Sequence, residues 1–128
     1  TAEWNGNITI VPFGLGEKEE TLSFYENEDN LNTGANTFLV EGNTTVNVTT
    51  LDSWSEKNGI KIDFIKSDIE GFERHLLRGA TRVLREQKPK LAICTYHLPD
   101  DREVLTDIIL KANPSYKIIQ RKAKLFAY

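Results

Sequence analysis

The sequence has no methionine, one cysteine and four prolines among 128 residues. Each shortage excludes something. A chain that opens on Thr1 with no methionine anywhere is expected to be a piece of a longer protein. One cysteine, Cys94, forbids an internal disulfide. Its neighbours Leu91-Ala92-Ile93 are apolar, so it reads as a small core residue rather than a reactive thiol. No apolar run reaches the length of a membrane span, and no signal-peptide pattern is visible, so the expected location is cytoplasmic. Excess positive charge is missing too: 16 Lys and Arg stand against 19 Asp and Glu, a net charge of −3. Phosphate binding needs a basic field, so a nucleic-acid partner is not expected. The one basic cluster, Lys117, Arg121, Lys122 and Lys124, reads as a solvated edge.

What is present suits one soluble α/β domain over residues 1–128. Hydrophobic content is 39% and charged content 27%. A chain of this length buries enough surface to hold a core without staples. Asn7, Asn43 and Asn47 each open an N-x-Thr triplet, relevant only in a secreted chain. Residues 7–13, NITIVPF, are rich in β-branched side chains and predict a strand; GLGEKEE predicts a turn. TLSFY and TVNVTT predict further strands. The polar stretch 26–37 predicts a loop or lid. LDSWSEKNG predicts a short helix closed at Gly59.

The second half is more regular. IDFIKSD predicts a strand. GFERHLLRGATRVLREQ predicts a helix, with Leu76, Leu77, Ala80, Val83 and Leu84 on one face. KLAICTYH is the continuous apolar run of a strand buried on both sides. DREVLTDIILKAN predicts a second helix, with Asp100 or Asp101 as N-cap, stopped by Pro114. YKIIQ and LFAY predict a closing hairpin. Strand, helix, strand, helix, strand, strand is the order of an α/β layer fold with right-handed crossovers.

In such sheets ligands bind beyond the carboxyl ends of the strands. Asp68 and Glu70 end one predicted strand; Thr95, Tyr96 and His97 end the next. If the strands are neighbours, these side chains converge on one rim. They could then orient a hydroxyl, take a proton or hold a metal. Other readings stand beside this one. Acidic residues at a helix start also serve as caps. Glu73 reads as a solvated or salt-bridged helix residue, and His75 as structural. His97 reads either as a loop residue or as a base. Gly71 serves close backbone approach or the strand-to-helix turn. Asp52 either caps the short helix or lines the pocket. No local ligand motif supports a metal site, and none is expected.

The run DFIKSDIEGFERHLLRGA, then PKLAICTYH, then a helix and NPSYKII, resembles the C-terminal part of an FkbM-type methyltransferase. Thr50-Leu51-Asp52 matches a TLD element upstream, and the resemblance spans roughly residues 5 to 125. It implies a partial Rossmann-like fold: a mostly parallel sheet flanked by helices, with a C-terminal antiparallel hairpin. It also implies S-adenosylmethionine as cofactor and a hydroxyl on a sugar, glycan or polyketide-like molecule as acceptor. The resemblance casts Asp68, Glu70 and His97 as candidate catalytic residues. Asp68 and Gly71 fall at the cofactor edge, and Asp52 and Tyr96 on the substrate side. The family's glycine-rich cofactor loop lies N-terminal to NITIV in its layout. Gly14-Leu15-Gly16 is not that loop, because no helix follows it. With the family strand order 3-2-1-4-5-7-6, loss of the first two strands leaves DFIKSD as a bare edge. Two repairs are expected: the N-terminal strands refold onto that edge, or two chains pair there as a homodimer. A non-catalytic binding module that associates through the edge is the alternative function.

Overall fold

The computed structural model describes residues 6–24 and 44–128. The stretch 26–37 lies outside them, and so does Trp4. The first described strands are β1 (Gly14–Leu15), β2 (Glu20–Phe24) and β3 (Thr44–Thr49), followed by helix α1 (Leu51–Asn58). The second half runs β4 (Phe64–Ser67), α2 (Glu73–Arg78), a π-helical turn at Val83–Gln87, β5 (Lys90–Cys94), α3 (Asp101–Ala112), β6 (Ile118–Arg121) and β7 (Lys124–Ala127). The strands form two mixed sheets, ordered β1-β3-β2 and β4-β5-β7-β6.

The α/β class and the closing antiparallel hairpin β6–β7 are as expected. Parallel pairing is less extensive than expected. β1–β3 and β4–β5 are parallel, whereas β2–β3, β5–β7 and β6–β7 are antiparallel. The predicted strand NITIVPF does not form. Residues 7–13 form no ladder with the described residues, and Ile8 and Ile10 are 71% and 88% exposed. β-Branched propensity stabilises a strand only where a neighbour supplies pairing and cover, and among the described residues this segment finds no strand partner. The strand instead starts at Gly14, inside the predicted turn.

The core lies between the second sheet and its helices. Leu76, Leu77, Ala80, Val83 and Leu84 are all buried, as their helical spacing requires. They meet Leu91, Ile93, Leu105, Ile109 and Leu125. Cys94 is buried too. The predicted long helix is in fact broken. α2 stops at Gly79, and the chain rewinds from Thr81 into the π-helical turn.

Asp52 explains how the break is satisfied. Its carboxylate accepts the Arg82 and Val83 N–H groups, both at 2.8 Å, and its own N–H donates to the Gly79 carbonyl at 3.0 Å. The orphan donors of the second helical segment are thus capped across 30 residues of sequence. α1 itself is capped by Thr50, whose hydroxyl accepts the Ser53 N–H, and closed by left-handed Gly59.

The end of α2 packs against the turn that follows β1, where Gly79 touches Gly16 and Glu17. A Cβ on Gly79 would run into the Gly16 carbonyl oxygen and lie 3.2 Å from the Glu17 Cα. Gly16 in turn faces Val48 and Phe72. The first expected repair of the β4 edge does not occur. The N-terminal strands make their own sheet, β4 pairs with β5 alone among the described residues, and Phe64 is 59% exposed.

Candidate active site

β4 and β5 are parallel neighbours, with Ser67 opposite Ile93. The residues that follow each strand therefore leave the sheet side by side. Asp68 and Glu70 come from one strand end, Tyr96 and His97 from the next. The convergence expected from sequence is present. His97 Nε2 lies 2.9 Å from Asp68 Oδ1, and the Tyr96 hydroxyl donates to the same oxygen at 2.9 Å. His97 Nδ1 lies 3.4 Å from Glu70 Oε2.

Electrostatics fixes the proton positions. Asp68 is held below the usual carboxylate range, chiefly by the hydrogen bond from His97, against the opposing effect of burial, with Tyr96 adding to the lowering. An ionised carboxylate is acceptor-only, and Asp68 at 2.9 Å from Nε2 is nearer than Glu70 at 3.4 Å from Nδ1, which favours the proton on Nε2 when His97 is neutral. Nδ1 is then the basic nitrogen. The Tyr96 phenol, donating to Asp68, is pushed up to about 12 and stays protonated. By linkage, the stability contributed by the lowered Asp68 is present above the unfolded carboxylate range and is lost as pH falls through the folded value.

The turn between Asp68 and α2 is unusual. Glu70 and Gly71 both have positive φ, 56° and 94°. Glycine tolerates this region, but glutamate does not without support. The support comes from Glu73. It is 1% exposed, so of the two sequence readings, solvated or salt-bridged, the solvated one does not hold. Its two oxygens accept the Ile69 N–H at 2.7 Å and the Gly71 N–H at 2.9 Å. It also stands 3.4 Å from His97 Nε2. The spacing Glu70-Gly71-x-Glu73 held this signal, since a carboxylate in a first helical turn can reach back to preceding amides.

Not every expected residue reaches the site. Asp52 does not join the cluster; both its oxygens are committed to the helix break. Gly71 is at the site, but its N–H is committed to Glu73 and cannot also serve a ligand. His75 turns away, its ring 4.5 Å from Phe72 and its Nδ1 3.4 Å from Glu17. Behind the site, Arg74 binds Asp100 and buried Asp101, each at 2.8 Å, tying α2 to the start of α3. Asp101 also accepts the Leu98 N–H at 2.8 Å, which orders the loop just after His97.

Asp68, Glu73 and His97 each offer one atom within 4.8 Å of the others, the spacing of a metal cluster. Glu73 already accepts two backbone amides, so the trio reads as a carboxylate–imidazole network. A concavity of about 800 Å³ lies elsewhere, between residues 9–13, β2–β3 and Trp54 of α1. It contains none of the converging residues. Among the described residues no helix is long and apolar enough to cross a membrane.

Comparison with known proteins identifies the family. The family model described as methyltransferase FkbM domain matches residues 2–117. The crystal structure of methyltransferase FkbM from Methylobacillus flagellatus KT superposes with a TM-score of 0.70 and 31% identity. The match covers 94% of this chain but only 28% of that one. Among curated proteins no relative matches. With a family match over most of its length, and with strand ends that converge where an α/β enzyme places its chemistry, this chain belongs to the FkbM methyltransferase domain family.

Proposed function

We propose that this chain carries the acceptor side of an S-adenosylmethionine-dependent O-methyltransferase. His97 takes the proton of the acceptor hydroxyl. The observation that supports this most is the Asp68–Tyr96–His97 network at the ends of two parallel strands. Methylating a hydroxyl leaves a proton that a positioned base must take. Asp68 fixes Nε2–H and frees Nδ1 for that task. Glu70, beside Nδ1, hydrogen-bonds the acceptor. Tyr96 is 56% exposed and its ring lies 4.0 Å from His97, so it offers an aromatic face to the acceptor. Carboxylates and a phenol around the imidazole favour a neutral hydroxyl acceptor, such as a sugar, glycan or polyketide-like molecule, over a phosphate.

The described residues do not fit a complete cofactor site. Gly14 and Leu15 are paired in β1, and the Gly16 N–H donates to Thr49 at 2.9 Å. Among the described residues no helix opens after them, so no free amides converge there on an anionic ligand group. Asp68 and the Gly71 backbone supply at most the edge nearest the cofactor. On this reading the chain is expected to be inactive alone. Calorimetric titration of S-adenosylhomocysteine into it is expected to show no saturable heat. Micromolar binding would show that the chain rebuilds a cofactor pocket and would overturn this assignment of parts.

A second reading rests on the β4 edge. Phe64 is 59% exposed on a strand whose outer edge is unpaired among the described residues. Such an edge favours homodimerisation by strand pairing. Sedimentation should then show a dimer that Phe64→Lys converts to monomer. A monomer at all accessible concentrations sinks the idea.

A further inference from the structure

The geometry points to Glu73 as a positioning residue that builds the site from below by clamping the Ile69–Gly71 turn. Its consequence for catalysis rests on the reading of His97 as base, but the clamp itself does not. Three observations carry it. First, Glu73 is 1% exposed, and a carboxylate so enclosed needs partners for its charge. Second, those partners are the Ile69 and Gly71 N–H groups, at 2.7 and 2.9 Å. Third, the amides belong to a turn with two consecutive positive φ values, at Glu70 and Gly71. That turn leads Asp68 and Glu70 to opposite nitrogens of one imidazole.

The logic is mechanical. A left-handed glutamate relaxes unless something holds it. The Phe72 N–H bond to Ile69 at 3.1 Å closes the turn once, and Glu73 closes it twice more. Remove Glu73 and the turn opens. Asp68 and Glu70 then lose their common aim, and His97 loses its single tautomer. A direct effect of the Glu73 charge on His97 at 3.4 Å is the competing account. Glu73→Asp separates the two, because it keeps the charge but shortens the reach.

The test uses nuclear magnetic resonance on this chain. Only two histidines are present, His75 and His97, so each imidazole is identifiable. In the unmodified chain, the Ile69 and Gly71 amides should exchange more than about tenfold slower than exposed amides. Free exchange there overturns the proposal even if every variant fails to fold. In Glu73→Asp both amides should lose protection, and in Glu73→Gln at least the one left facing the side-chain NH₂ should. The His97 nitrogen shifts should move towards a tautomer mixture while those of His75 stay put. Asp68→Asn should change His97 but leave the two amides protected. Amide loss with unchanged His97 shifts makes Glu73 merely structural and overturns the proposal. A normal His97 in Glu73→Asp alone, with Glu73→Gln perturbed, assigns the effect to charge and does the same. No step of this test involves methyl transfer, so failure of the catalytic reading leaves its outcome readable.

Discussion

Gly79→Ala is expected to cost this chain about 3 kcal/mol or more of folding stability, the upper end for inserting atoms into a packed interior. The sign makes the experiment sharp. Gly79 has ordinary backbone angles, φ −78° and ψ 1°, at the end of a helix. At such a position alanine normally stabilises by up to about 1 kcal/mol. Here the added methyl meets backbone of the turn after β1, the Gly16 carbonyl and the Glu17 Cα, with no rotamer to relieve it. The Gly79 carbonyl also receives the Asp52 N–H, so moving the glycine disturbs the cap of the next helical segment. Gly16→Ala should cost less. Its nearest neighbours are the side chains of Val48, at 2.7 Å, and Phe72, at 3.3 Å, which can shift. Urea unfolding of the three proteins checks the order. A Gly79→Ala chain as stable as the parent would mean that the end of α2 and the turn after β1 are not in contact there.

That contact shows what the sequence does and does not disclose. The helical spacing of Leu76, Leu77, Ala80, Val83 and Leu84 marks the core face, and all five are buried. The apolar run KLAIC marks a central strand, and β5 has partners on both sides. These are local periodicities, and burial follows directly from them. The break at Gly79 has no such local mark. It depends on Asp52 and Gly16, which are remote in sequence and reach it only through the tertiary fold. NITIVPF fails for the complementary reason, since its propensity is local but its cover is not.

The site divides the same way. Asp68, Glu70, Tyr96 and His97 were legible because they end consecutive strands whose pairing follows from the topology. Asp52 carries the same chemistry, yet the fold spends both its oxygens on backbone amides. Glu73 looks like any acidic residue in a first helical turn. Only the left-handed Glu70–Gly71 pair shows why a carboxylate must be buried beneath it.

In a full-length methyltransferase carrying this segment, His97→Asn is expected to lower kcat by about 10²- to 10⁴-fold, the usual contribution of a positioned base. KM for the acceptor should change little, because proton removal belongs to the transition state and not to ground-state binding. Asp68→Asn should approach the same loss by a different route. An amide can offer its NH₂ to Nε2, which drives the imidazole proton to Nδ1 and removes the basic nitrogen from the acceptor side. Tyr96→Phe removes one of the two donors on Asp68 Oδ1 while His97 keeps its own bond. Its effect on kcat should be the smallest of the three. The ordering His97→Asn and Asp68→Asn far below Tyr96→Phe therefore reports a relay and not mere crowding of polar groups. Single-turnover rates with a hydroxyl acceptor decide it. If His97→Asn stays within a few-fold of the parent enzyme, the base is elsewhere, and the carboxylate network around the imidazole is only an ordered strand end.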